Sequence, residues 1–513
     1  MKADTSSRRV GGILLHPTSL PGPDGIGDLG DAVFYWLDWL HEAGCQAWQV
    51  LPLGPTGYGD SPYQSFSAMA GNPMLISLRK LISEGLLSSE DFYDQPDFAD
   101  HQVDFGEVIQ YKNWLLNLAW QRFRSGVADN LHEEFTRFCE DQVGWLDDYA
   151  LFMALKAHHD GKAWTAWDPE LRQRHPDRMK RAKDELKELI EDHRFRQFLF
   201  FQQWNEVVLR AHELEIQIIG DVPIFLAHDS CDVWAHQDLF FLDEGGSPTV
   251  VAGVPPDYFS ATGQLWGNPL YRWERLRSDD YLWWKNRLEA IFNRVDVVRL
   301  DHFRGFEAYW EIPASAPTAE TGRWVKGPGS RFFSSVKNHF DVLPLIAEDL
   351  GVITPEVEEL RDSFGFPGMK VLQFAFDEDP DNDFLPHNFS KNCVVYTGTH
   401  DNDTTRGWYE TAPEAAQDFC RRYLARGGEH IAWEMIRAAW ASVAEMAIAP
   451  LQDFLELGSE ARMNFPGREQ GNWAWRVRDD ALSSGLADRV RELNVIYGRV
   501  DRELPEREGE TLR

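Results

Sequence analysis

Short apolar runs recur along the chain, each followed by a longer stretch of helical or irregular pattern. Eight read as strands buried on both faces: GGILLHP (11–17), AWQVLPL (47–53), IQIIGDVPI (216–224), VDVVRLDH (295–302), LPLIAEDL (343–350), MKVLQFAF (369–376), CVVYTGTHD (393–401) and MAIAPLQDFL (446–455). Amphipathic segments lie between them, such as 31–44, which closes on Gly44 as a helix stop, and 194–215. Strands alternating with helices predict a parallel sheet, and eight of them predict a closed (β/α)8 barrel of the TIM type. The barrel spans 1–513 as a single catalytic unit, with no separate C-terminal β-sandwich domain. Two strand-to-strand spacings are too long for simple links. Residues 54–193 predict a mostly helical insertion after strand two. Residues 225–294 predict an insertion after strand three, carrying a lid loop at 250–268 that is rich in Gly, Pro and aromatics and shows neither helical nor strand period.

Polar residues break this pattern in one place repeatedly, the carboxyl ends of the strands. Arg299 and Asp301 stand two apart at the end of strand four, so alternation sends both to one face. Asp221 follows strand three, Glu348 and Asp349 follow strand five, and Asp401 follows strand seven. Any one of these acids alone is as easily a helix cap. Several converging on the catalytic rim of a barrel repel one another unless a cation or a shared proton relieves them, and that convergence favours chemistry.

Charge and composition narrow the chemistry. A net charge of −32 excludes a nucleic-acid backbone as partner. The 43% hydrophobic and 26% charged content is that of a globular protein. Five scattered cysteines without a C-x-x-C pair argue for reduced thiols. The opening MKADTSSRRVGG lacks the apolar core of a signal peptide, and no apolar run approaches membrane-spanning length, so a soluble, cytoplasmic chain is expected. No metal or cofactor is expected. DEDPDND (377–383) lacks the Gly and distal Glu of an EF-hand loop, and His158 with His159 lacks a third ligand. Clustered carboxylates without a metal leave cleavage of a glycosidic bond as the leading chemistry.

The motifs VVRLDHFRG, IAEDLG and TGTHDND resemble the strand-four, strand-five and strand-seven motifs of the amylomaltases, or disproportionating enzymes, in family 77 of the glycoside hydrolases. The likeness runs nearly end to end through GILLHPTSLPG, LPLGPTGYGDSPYQSFSAMAGNP, IIGDVPIF, GVPPDYFS, WGNPLY, FLPHN, MNFPG and NWAWR. It implies a retaining 4-α-glucanotransferase that moves α-1,4-glucan segments between maltooligosaccharides, amylose, starch or glycogen, with no obligate protein partner. It further implies Asp301 as nucleophile, Glu348 as general acid/base, Asp401 as a binder of ring hydroxyls that aids distortion, and Arg299 as the cation beside the nucleophile. Contacts to sugar fall by the same likeness to Tyr63, Asp221, His302, His400 and Asn464. An α-glucan hydrolase of the amylase type and a silent glucan-binding protein are the alternatives. Three positions depart from the family pattern: Ala261 where Glu is common, Leu265 where Arg is common, and Phe465 where Thr is frequent.

Transfer requires that a sugar hydroxyl outcompete water for the glycosyl-enzyme, which an aromatic loop over the acceptor side achieves by excluding water. Tyr258, Phe259 and Trp266 are the aromatics of the 250–268 stretch that fit this task. Replacing Tyr258 and Phe259 together by Ala is expected to raise the ratio of hydrolysis to transfer. An orienting contribution of about 1.4 kcal/mol corresponds to a roughly tenfold change in that ratio. Equal loss of both reactions, measured as reducing ends against chain-length redistribution, would assign the loop to donor binding or folding instead.

Overall fold

The computed structural model describes residues 9–256, 260–468 and 470–500. Its strands, in chain order, are β1 (Val10–Leu14), β2 (Ala47–Gln49), β3 (Gln217–Pro223), β4 (Val250–Val254), β5 (Gln264–Pro269), β6 (Val297–Asp301), β7 (Ala308–Pro313), β8 (Arg323–Lys326), β9 (Leu345–Ala347), β10 (Gly368–Val371), β11 (Cys393–Tyr396) and β12 (Met446–Pro450). Eight of them close a ring in the order β1-β2-β3-β6-β9-β10-β11-β12, every pair parallel, with β12 returning to β1. These are the eight strands that the apolar runs predict. Alternation divides each between two cores. Val298 and Leu300 pack outward against helices, while Leu14, Ala47, Ile219, Ile346, Met369, Val394 and Ile448 fill the barrel interior.

The apolar runs overshoot the strands at their carboxyl ends. After Val371 the chain turns into a short 3-10 helix, Leu372–Phe374, and β11 stops at Tyr396, five residues before Asp401. Apolar side chains continue past the last ladder bond there because the mouth loops also pack on the core. Gly44, with φ +67, ends the helix Asp31–Glu42 as its sequence position requires.

Of the two long spacings, the first is helical, with Phe105–Arg124, Asn130–Asp141, Val143–His158 and Pro176–Glu185. Its last helix, Lys187–Glu213, runs unbroken through residue 193 and delivers the chain to β3. The stretch at 250–268 is not the periodless loop that its composition suggests. β4 and β5 form a hairpin with a register shift between Val251 and Gly253, and they join β7 and β8 in a four-stranded antiparallel sheet, β5-β4-β7-β8. The bulge and the glycines hide the two-residue period, and half the partners come from after β6. Tyr258 and Phe259, within 257–259, lie outside the described residues. No helix among the described residues is long and apolar enough to cross a membrane.

Two arginines fasten the ring where β1 meets β12. Arg499 is fully buried and donates to the carbonyls of Trp440 (3.1 Å), Val10 (2.9 Å) and Ala444 (3.2 Å). Arg9 donates to the carbonyls of Tyr497 (2.9 Å) and Trp440 (2.6 Å). Burial pushes the Arg499 guanidinium down to about 9. Replacing Arg499 by Met leaves several buried carbonyls unmet, each costing about 1–3 kcal/mol. The denaturant midpoint of Arg499→Met is expected to fall by the equivalent of about 2–4 kcal/mol while kcat of the folded fraction stays at wild type. An unchanged midpoint would show that the guanidinium is not holding the seam.

Candidate active site

The site begins with a register. In the parallel ladder of β3 and β6, Asp221 stands opposite Arg299 and Pro223 opposite Asp301, so the acid of one strand lies beside the base of the next. Arg299 Nη1 donates to Asp221 Oδ2 at 2.6 Å, and Nη2 lies 3.0 Å from Asp301 Oδ1. Tyr63, from the loop after β2, donates its hydroxyl to the same Asp221 Oδ2 at 2.8 Å. The Asp221 side chain has no exposed surface, and its neighbours are protein groups. In this arrangement Asp221 is bonded to both Arg299 and Tyr63.

Glu348 stands one residue beyond β9, and its two oxygens accept backbone N–H groups from His302 (2.6 Å) and Leu350 (2.9 Å). The first bond depends on His302 turning into the left-handed region, φ +54, directly after β6 ends. That turn costs about 1–2 kcal/mol in a non-glycine residue and swings the amide toward the carboxylate. Asp349 points the other way, where Arg361 of the helix Pro355–Ser363 and the backbone N–H of Met369 (2.7 Å) bind it. The His302 ring is pushed down to about 3 by burial and is neutral. Trp266 on β5 meets it edge to face, with centroids 4.8 Å apart.

Asp401 completes the rim. Asn464 Nδ2 donates to its Oδ1 at 2.6 Å, His400 Nε2 lies 3.3 Å from its Oδ2, and Arg462 binds its backbone carbonyl at 2.8 Å. Burial works against the Asp401 charge, but His400 and Asn464 outweigh it and hold the carboxyl well below the usual range. Burial likewise opposes a charged His400, and Asp401 overcomes it, raising the imidazole above its ordinary value. His400 stacks on Tyr63, centroids 5.1 Å apart.

The two carboxyls at the centre differ in electrostatics. Burial raises Glu348 to about 7, with a further push from the Asp301 charge. Arg299 alone would depress Asp301, as the sequence suggests. Instead burial, with Asp221 and Asp401 behind it, outweighs Arg299 and raises Asp301 to about 6. Arg299 is shared, and Asp221 has the shorter bond to it. The lower of the two values stays with the carboxyl that touches the guanidinium.

Sequence reasoning missed three groups that the fold brings in. Trp473 is buried 5.9 Å from both the Tyr63 and His400 rings. It belongs to NWAWR, a segment whose composition carries no signal of a site. Arg462 binds Asp401 and also the carbonyl of Asn464 at 2.7 Å. Met369 accepts the Nε–H of Arg299, Nε to Sδ at 3.4 Å. Of the three departures, Phe465 lies between the guanidiniums of Arg462 and Arg468, which stand 4.5 and 4.4 Å from its ring centre, so an aromatic ring braces the arginine that braces Asp401. Leu265 on β5 is half exposed.

Unequally raised carboxyls at the mouth of a parallel barrel, with a cation beside one of them, mark a glycoside-processing enzyme. A profile of the family described as 4-alpha-glucanotransferase matches residues 15–482. The 4-alpha-glucanotransferase of Thermus thermophilus is 54% identical over 94% of this chain and 98% of its own, and that of Synechocystis sp. is 51% identical over 96% and 98%. The structure of amylomaltase from Streptococcus agalactiae in complex with acarbose superposes with a TM-score of 0.94 at 37% identity, covering 96% of this chain and all of that one. The amylomaltase of Corynebacterium glutamicum shares the fold, with a TM-score of 0.76 at 17% identity over 96% of this chain and 74% of that one. The chain belongs to the 4-alpha-glucanotransferases, glycoside hydrolase family 77.

The shifts set a pH profile. With Asp301 acting ionised and Glu348 protonated, the roles the family resemblance implies, kcat/KM is expected to fall as pH drops through about 6 and again as it rises through about 7. Asp221→Asn removes a charge that raises Asp301 and frees Arg299 toward it, so the acid limb should move to lower pH. An acid limb that stays fixed or moves upward would contradict the sharing of Arg299.

Proposed function

We propose that the chain carries out 4-α-glucan transfer by a retaining double displacement centred on Asp301 and Glu348. The observation that carries this reading is the pair of unequally raised carboxyls, with Arg299 beside the lower one. Asp301 Oδ attacks the anomeric carbon of the donor glucan. Glu348 gives its proton to the departing glycosidic oxygen, and the shortened chain leaves with a free 4-hydroxyl. Glu348, now ionised, takes the proton from the 4-hydroxyl of an acceptor as that oxygen attacks the glycosyl ester and releases Asp301. Two inversions at one carbon leave the α configuration intact.

Each neighbour has a part in this cycle. The two backbone N–H groups on Glu348 fix its carboxyl without supplying a charge that would ionise it early. Asp401 remains ionised beside His400 and accepts the ring hydroxyls of the sugar under attack, with Asn464 orienting the carboxylate. His302 and Trp266 line the acceptor side, a neutral donor against an apolar face, and Tyr63 flanks the sugar from its stack on His400. The substrates are α-1,4-glucans: maltooligosaccharides and the chains of amylose, starch or glycogen. This reading is supported by the acarbose held in the related amylomaltase structure.

Maltotriose is expected to yield glucose together with longer maltooligosaccharides, with little growth in total reducing ends. Stoichiometric growth of reducing ends would identify a hydrolase. Asp301→Asn and Glu348→Gln are each expected to lose nearly all activity with the fold retained. Given an activated α-glucosyl donor, the Glu348→Gln protein should accumulate a covalent adduct on Asp301, read by peptide mass analysis. An adduct on another carboxylate would displace the assignment.

A further inference from the structure

Arg299 contacts its surroundings in the barrel through each of its three guanidinium nitrogens. Nη1 meets Asp221 and Nη2 faces Asp301. Nε–H donates to the thioether of Met369, with Nε and Sδ 3.4 Å apart. Met369 is buried on β10, in the interior cluster that also holds Leu14, Leu51, Ile346 and Tyr396. The position of Met369 is itself pinned. Its backbone N–H donates to Asp349 Oδ1 at 2.7 Å, and the other oxygen of Asp349 is held by Arg361 from the outer helix.

We propose that Met369 is a positioning residue for the reaction: its thioether accepts the Nε–H of Arg299 and so fixes how that guanidinium is divided between Asp221 and Asp301. This rests on the reading of Asp301 as nucleophile. The choice of acceptor follows from physical chemistry. A buried N–H left without a partner costs about 1–3 kcal/mol, so some acceptor is needed below Arg299. A carboxylate there would draw the cation down and away from the mouth. A thioether is a weak, polarisable acceptor that satisfies the N–H without competing for the charge. The sulfur therefore stops the guanidinium from rotating toward Asp301, where a closer pairing would make the carboxylate a poorer nucleophile. Through Asp349 the same device ties the outer helix to the chemistry, on the opposite side of the strand from Glu348.

The test compares Met369→Leu, which keeps the bulk and removes the acceptor, with Met369→Gln, which offers an oxygen at similar reach. For Met369→Leu the expected result is a fall in kcat of about tenfold, a KM for maltotriose changed less than about twofold, and an acid limb of kcat/KM displaced to lower pH. Met369→Gln should recover most of the kcat and return the limb toward its wild-type position. If Leu lowers the thermal midpoint, the Gln variant carries the test alone, and a displaced limb there overturns the proposal. Wild-type kcat and limb in Met369→Leu, or equal impairment of both variants, also overturns it, since packing alone would then account for the residue. Trapping the glycosyl-enzyme in Glu348→Gln/Met369→Leu separates the two readings. Label on Asp301 with wild-type-like single-variant kinetics refutes only the role of Met369, whereas label elsewhere refutes the nucleophile and this inference with it.

Discussion

One buried cation organises the mouth of this barrel. Asp221, Asp301, Glu348 and Asp401 converge on a small region, and without Arg299 their mutual repulsion would be relieved only by protonating several of them at once. Arg299 can stand there because it enters from a strand, not a loop. Its backbone is fixed on both sides by parallel ladders, to β3 and to β9, and its side chain cannot retreat into water. Isolated, such a buried charge is costly; shared between two carboxylates it becomes the reference point from which the others take their values. Asp221 draws on it at 2.6 Å and Asp301 at 3.0 Å, while burial and the Asp301 charge raise Glu348 more than Arg299 and two backbone amides lower it.

The strands were legible because parallel strands covered on both faces leave continuous apolar runs, and the acids at their ends were legible because nothing else explains carboxylates there. Interstrand register was not legible. That Asp221 faces Arg299 depends on how β3 aligns with β6, and no local pattern states it, so the pairing of this acid with that arginine could not be read from the sequence. The antiparallel sheet was hidden for a related reason. β4 pairs with β7, with β6 lying between them in the chain, and Gly253 and Gly263 interrupt the alternation that would have marked the hairpin. Trp473 and Arg462 reach the site from beyond β12, where composition alone marks no target.

The adjacent pair Glu348 and Asp349 shows how one strand serves two environments. Side-chain alternation sends the first into the mouth, with backbone donors and a raised carboxyl, and the second to the outer wall, paired with Arg361. Neighbouring residues of nearly identical chemistry thereby become a raised carboxyl in the mouth and a structural tie on the wall. A slip of one residue in the pairing of β9 with β6 would exchange them, so the precision of the catalysis depends on the accuracy of the ladder.

The seam between β1 and β12 bears on how the molecule assembles. The two strands that meet there are far apart in sequence, so the ring cannot close until β12 has been made. Helices of the first insertion and the hairpin of β4 and β5 have their partners close by and can form early. Until β12 emerges, β1 and β11 are open sheet edges, presenting unpaired backbone to any neighbouring chain. Closing the seam ends that exposure, and Arg9 and Arg499, brought together only then, fasten the last edge to be covered.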